Sequence, residues 1–248
     1  SSRRRHTRCL SDWSSDVCSS DLGHCDMNSC WDQTKPRSQY HFDPQGHDSR
    51  WDGVQKLGRF DGSWHSELQQ VIASSQPATW ATRGYKAQSV AIPSADLAAE
   101  QWDLERVGAD PEMTITDLNW QIPGQFQHMA DLFALKDAMV RIHVQRPGQV
   151  WNLHLDKLEK WAPHDPHSVM RVTVHLNDWS PGQFWSYGNY QYHGWRAGDV
   201  TTFDWINVPH ATANAGHEPR VTLQVTGIRT QATHEFCHRL YNCRKYPI

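Results

Sequence analysis

The 248-residue chain has no stretch near the ~20 consecutive apolar residues of a membrane-spanning helix. It also lacks an excess of positive charge. Its 24 Lys and Arg stand against 27 Asp and Glu, for a formal net charge of −3, and no basic stripe stands out. A helical membrane protein and a nucleic-acid-binding surface are both disfavoured, and a soluble, cytoplasmic protein is expected. Cysteine is scarce, with six in all. Cys9 and Cys18 fall in an opening segment treated separately below, which leaves Cys25, Cys30, Cys237 and Cys243. A chain of this length can build a core without disulfides, so free thiols in a reducing compartment are the plain expectation. A sharper alternative is a zinc clip from His234, Cys237, His238 and Cys243, although that spacing matches no known finger. No internal repeat and no second domain are visible.

The first 22 residues have neither hydrophobic period nor targeting character. Short-read sequencing-adapter DNA, translated in frame, spells Ser1–Arg8 and Ser11–Leu22, with Cys9 and Leu10 where a variable index would sit. Residues 1–22 are therefore set aside as an artefact. Residues 23–60, rich in Gly, Pro, Asp, Ser and Gln, are expected to be irregular. A single domain is expected over 61–230, with its core at about 138–228, followed by a tail at 231–248.

Within that domain Ser63 is placed to cap a helix running to about Ser74. Tyr85–Ile92 reads as a strand and Ala95–Trp102 as a short helical stretch. Phe126, Met129, Leu132 and Phe133 repeat at helical spacing and predict a helix over Gln125–Leu135. Beyond Asp137 the period changes to two. Met139–Gln145, Val150–Asp156, Val169–Asn177, Asp199–Trp205, Pro209–Ala213 and Arg220–Gly227 alternate polar with apolar residues between turn formers. The pattern predicts a mainly β fold, an antiparallel sandwich or barrel braced by N-terminal helices.

Residues i and i+2 of a strand share a face. His154 and Asp156 therefore share one, as do Arg171, Thr173 and His175, and Arg220, Thr222 and Gln224. Water could bathe any one such face. Three polar faces that gather His, Asp, Arg and Thr are better explained by a barrel with a polar, ligand-holding interior. An imidazole and a carboxylate on one face can take adjacent positions on a metal. A second His from a distant strand, here His210, completes a facial triad with open positions, the set suited to non-haem Fe(II). The other histidines have plainer roles: His164, His167 and His217 lie in turns, and His175 is as well explained by the core as by a ligand. Trp179, Trp185, Tyr187 and Tyr190 fall in a long connection of the kind that often covers a site.

The stretch from about Trp151 to Gly227 resembles the catalytic half of the 2-oxoglutarate- and Fe(II)-dependent oxygenases. These share a double-stranded β-helix, or jelly roll. Their pattern is His-x-Asp/Glu, a later His, and an Arg about ten residues beyond, often followed by x-Ser/Thr. FDWINVPHATANAGHEPRVTLQVTG is similar to the aspartyl/asparaginyl β-hydroxylase branch, some members of which lack the carboxylate ligand present here as Asp156. The resemblance implies iron ligation by His154, Asp156 and His210. It implies that Arg220 grips the distal carboxylate of 2-oxoglutarate with Thr222 as its hydroxyl companion. Arg171 is a candidate second contact to the cosubstrate. It also implies consumption of O2 and hydroxylation of a protein side chain, an amino acid or a small metabolite. Two other readings stay open. A cupin-like protein could bind metal or a small ligand without 2-oxoglutarate, and would not need Arg220. A non-catalytic β-sandwich interaction module would leave His154 and His210 far apart.

Overall fold

The computed structural model describes residues 54–79, 110, 112–156, 158–188, 190–243 and 245–248, all within the compact unit Ser38–Ile248. The opening segment 1–22, the predicted strand Tyr85–Ile92 and the helical stretch Ala95–Trp102 lie outside the described residues. The elements run β1 (Val54–Asp61), α1 (His65–Ser74), β2 (Gln76–Thr79), β3 (Thr114–Asn119), α2 (Gly124–Asp131), β4 (Lys136–Gln145) and β5 (Val150–His154). They continue as β6 (Val169–His175), β7 (Gln183–Tyr187), β8 (Tyr190–Tyr192), β9 (Asp199–Phe203), β10 (His210–Asn214), β11 (Arg220–Ile228), α3 (Gln231–Asn242) and β12 (Tyr246–Pro247).

The strands form two sheets, one of eight in the order β12-β1-β9-β6-β11-β4-β3-β2 and one of four in the order β5-β10-β7-β8. From β4 to β11 the chain passes back and forth between them. β4, β6, β9 and β11 join the larger sheet; β5, β7, β8 and β10 form the smaller. This is a double-stranded β-helix, mainly β with supporting helices. Every pairing among these eight strands is antiparallel, as period-two patterning requires.

The larger sheet has two unlike faces. Leu223 pairs with Ile142 and Val174, and Val225 with Val140 and Val172. This apolar face is fully buried at Ile142, Val172, Val174, Leu223 and Val225. On the other face Arg220 pairs with Gln145, Thr222 with His143 and His175, Gln224 with Arg141 and Thr173, and Thr226 with Arg171. All of these polar residues except the half-buried Gln224 are buried as well, because that face looks onto the smaller sheet. The interior between the sheets is thus polar on one wall. On the other it is aromatic, with Trp185, Tyr187, Tyr192 and Trp195 in one cluster.

The segments that sequence patterning assigns to an irregular start and to a tail both reach the core. Residues 54–61 form β1, which pairs with β9. Residues 231–242 form α3, opened by a capping box of Thr230 and Thr233. Its buried Thr233, Phe236, Cys237 and Leu240 recur at helical spacing. Phe236 packs on Phe60 and Phe133 at ring-centroid distances of 6.3 and 5.2 Å. The close approach explains Gly58, whose φ is +142°: a Cβ there would lie 2.4 Å from the Leu240 carbonyl oxygen. The long connection holding Trp185 and Tyr187 is likewise not a loop; it supplies β7 and β8. Asp199 holds the turn at Gly198, accepting from the Arg196 amide and from Arg59 Nε. No helix among the described residues is long and apolar enough to cross a membrane.

Candidate metal centre and anion pocket

His154 ends β5 and His210 begins β10, and the two are direct register partners. Their rings lie 4.2 Å apart between centroids. Asp156 follows two residues after His154. Its Oδ1 is 3.8 Å from His154 Nε2 and its Oδ2 is 3.8 Å from His210 Nε2. All three residues are buried, and one ligand atom from each lies within 4.8 Å of the others. Donors that share one divalent ion with bonds of ~2.0–2.2 Å sit ~3–3.5 Å apart, so side-chain shifts of under about 1 Å would bring these three onto one ion. Among the described residues this is the one such group. The proposed clip of His234, Cys237, His238 and Cys243 is not assembled: α3 buries Cys237 in the core and leaves His238 and Cys243 exposed.

The protonation pattern fits a metal. His154 Nδ1 is 2.7 Å from the Asn152 carbonyl oxygen, and His210 Nδ1 is 3.3 Å from that of Val208. A carbonyl can only accept, so each Nδ1 carries the proton and each Nε2 turns a lone pair toward Asp156. Burial holds the His210 imidazole below its ordinary pKa, against the opposing pull of Asp156. Burial alone would raise the Asp156 carboxyl. Arg171 and then His210 and His154 outweigh it, and the group sits well below the usual carboxylate range. Two lone pairs and a carboxylate converge on one point, an arrangement that a cation completes.

Arg171 is placed differently from its expected role beside the cosubstrate. Its Nη1 lies 2.6 Å from Asp156 Oδ2, and its Nε donates to Thr226 Oγ1 at 3.0 Å. The reason is register. Arg171 pairs with Thr226, four residues along β11 from Thr222 and six from Arg220, so it reaches the metal-ligand carboxylate. It orients Asp156 from behind.

Arg220 faces the same interior from the opposite end. It is 4% exposed, and its guanidinium lies over the Trp185 ring at 4.2 Å. Nε and Nη2 both donate to Gln145 Oε1, at 3.1 and 2.8 Å. Among the described residues Nη1 has no hydrogen-bond partner. Among the described residues no carboxylate pairs with it, and burial pushes its pKa down to about 9. Thr222 is buried two residues along the same face. Register measures how far Arg220 is from the triad. On β7, Trp185 pairs with Thr212 and Tyr187 with His210. Arg220 rests on Trp185, so it sits two residues from the His210 row, ~7 Å at strand rise.

Several other residues on these walls were less legible. Trp185 and Tyr187, an i, i+2 pair bracketed by Gly182 and Gly188, carry the signal of a strand that lines the interior. Gln145 gives no signal in the sequence. His175 is fully buried in a box of Trp185, Tyr192 and Trp195, and neither ring nitrogen has a hydrogen-bond partner among the described residues. Burial drives its pKa well below the ordinary value. Asn214 holds the turn after β10, donating to the carbonyls of Gln145 and Glu218 and accepting from the Gly216 amide.

No family model matches the chain, and no curated protein matches it. Among solved structures, a prolyl-4-hydroxylase from Pseudomonas putida is 21% identical with a TM-score of 0.37, covering 67% of this chain and 100% of that one. A predicted oxalate decarboxylase from Thermotoga maritima is 15% identical with a TM-score of 0.30, covering 46% of this chain and 80% of that one. A Cupin 2 conserved barrel domain protein from Salinispora arenicola is 11% identical with a TM-score of 0.29, covering 62% and 99%.

Proposed function

We propose that the chain is an Fe(II)- and 2-oxoglutarate-dependent oxygenase that hydroxylates a protein side chain, an amino acid or a small metabolite. The observation that carries this reading is Arg220. A guanidinium buried without a counter-ion is costly, and its Nη1 is free to bind. An anionic ligand group would relieve that cost, and a carboxylate matches the planar donor edge. A molecule that reached from Arg220 to the triad would carry that carboxylate at one end and metal-chelating oxygens ~7 Å away. 2-Oxoglutarate has this form.

In this reading His154, Asp156 and His210 hold the iron, and the metal with its keto acid supplies the oxidising power when bound. The chain's own residues do the rest. The Asn152 and Val208 carbonyls fix both imidazoles with Nε2 inward. Arg171 keeps Asp156 ionised and oriented. Trp185 and Arg220 place the distal carboxylate, and the buried aromatic wall excludes water.

Anaerobic titration of the apo-protein with Fe(II) and then 2-oxoglutarate tests the proposal. A weak visible charge-transfer band of a chelated keto acid is expected, and should be lost in Arg220→Ala at the same ligand concentration. Iron binding with no band would instead favour a cupin-like metal protein, and no binding at all would overturn the metal site.

A further inference from the structure

Among the described residues Gln145 is the one that grips the Arg220 guanidinium by hydrogen bonds, and it is itself fully buried. It stands directly opposite Arg220 across β4 and β11. Which way its amide points is settled by its other partners. Nε2 donates to Thr212 Oγ1 at 3.0 Å and to the Thr212 carbonyl at 3.3 Å. The carbonyl oxygen can only accept, so the NH2 group must face Thr212 and Oε1 must face Arg220. Thr212 lies on β10, two residues from His210, so the clamp bridges the two sheets. Asn214 secures it further by donating to the Gln145 main-chain carbonyl at 2.8 Å.

The chemistry of this clamp is selective. A carboxylate at the same place would pair with Arg220 and cancel its charge. The neutral amide orients the guanidinium through Nε and Nη2, leaves the charge whole, and leaves Nη1 open. Resting on the oxygenase reading above, we propose that Gln145 is a positioning residue. It reserves the Arg220 charge for the ligand's distal carboxylate and so sets the preference for a dicarboxylic keto acid over a monocarboxylic one.

The test uses the full chain loaded anaerobically with Fe(II). Affinities are measured for 2-oxoglutarate and for 2-oxopentanoate, which keeps the five carbons and the chelating end but lacks the distal carboxylate. Wild type should favour 2-oxoglutarate by ~100-fold, as a charge-assisted contact made in one ligand and absent from the other implies. In Gln145→Glu that ratio should fall at least tenfold while Fe(II) affinity stays within about threefold. A merely structural role for Gln145 would weaken both keto acids alike and leave the ratio unchanged, which overturns the inference. Gln145→Met, of similar volume and uncharged, keeps the question open to measurement if the Glu variant does not fold. Loss of orientation should lower its ratio as well, and an unchanged ratio there also overturns the inference. If wild type binds neither keto acid, or binds both equally, the oxygenase reading itself has failed, an outcome distinct from a Gln145 variant that keeps the wild-type ratio.

Discussion

His154 and His210 are 56 positions apart in sequence and direct partners across β5 and β10, with ring centroids 4.2 Å apart. Backbone pairing, and not side-chain reach, sets their separation. Two strands joined by antiparallel hydrogen bonds hold opposite residues at ~4.5–5.5 Å between Cα or Cβ atoms. Asp156 enters from beyond the end of β5 to close the triangle. The interaction-module reading, which needs these two histidines far apart, does not survive this register.

Asp156 should be indispensable to the metal site. Replacing it with Ala removes one of three ligands and leaves the Arg171 cation facing the two imidazoles. Fe(II) affinity measured by anaerobic titration should fall by more than ~100-fold, and turnover should be abolished. Full activity in Asp156→Ala would falsify its assignment as a ligand.

Arg220 should cost stability in the ligand-free protein. Arg220→Met replaces a buried cation with an apolar chain of similar length, so the free variant should be as stable as wild type or more so. Wild type should gain stability with ligand, by ~2.7 kcal/mol at a hundredfold excess of 2-oxoglutarate over its Kd in the presence of Fe(II). The variant should gain almost nothing from the same ligand. Thermal melts of both proteins, with and without 2-oxoglutarate, compare the two.

The buried histidines predict a sign for the pH dependence. His143 and His175 are held well below their ordinary value of 6.5, each by burial first and then by neighbouring cations, Arg141 and Arg171 for His143 and Arg220 and Lys56 for His175. Below that pH the unfolded chain takes up protons that the folded one does not, so stability is lost as pH falls from about 6.5. The loss approaches ~1.4 kcal/mol per pH unit for each such histidine. Urea midpoints of the ligand-free protein should fall between pH 7 and 5.5. His175→Phe should flatten the slope, and a slope unaffected by that change would mean His175 protonates freely in the fold.

Gly58 should tolerate no side chain. Gly58→Ala puts a Cβ against the Leu240 carbonyl oxygen at a φ that L-residues rarely adopt. A loss of ~2–4 kcal/mol is expected, measured by denaturant unfolding. A near-neutral result would mean that α3 does not dock on β1 as described.

Much of this was legible from residues alone. Period-two alternation on the six runs beyond Asp137 identified strands, because a pleated backbone sends successive side chains to opposite faces whatever surrounds them. The same rule placed His154 with Asp156, and Arg220 with Thr222. The strand β7 was missed because its Trp185 and Tyr187 sit in a stretch dense with Gly, Pro and Asn, where turn signals overwhelm a five-residue alternation. The helix α3 was missed because 231–242 follows the last patterned strand and its buried face is only four residues deep, one of them Thr233.

The sequence by itself determined the chemistry available: two imidazoles, a carboxylate and a guanidinium on strand faces whose partners it did not name. Tertiary structure alone decided which of them meet. Register put His154 opposite His210 and sent Arg171 to Asp156 instead of to the anion end. The crossing between sheets placed Gln145 behind Arg220, with Thr212 turning its amide. Local rules set the direction of a side chain. The pairing of strands tens of residues apart sets what it points at, and that choice is made by the whole barrel as it buries both faces at once.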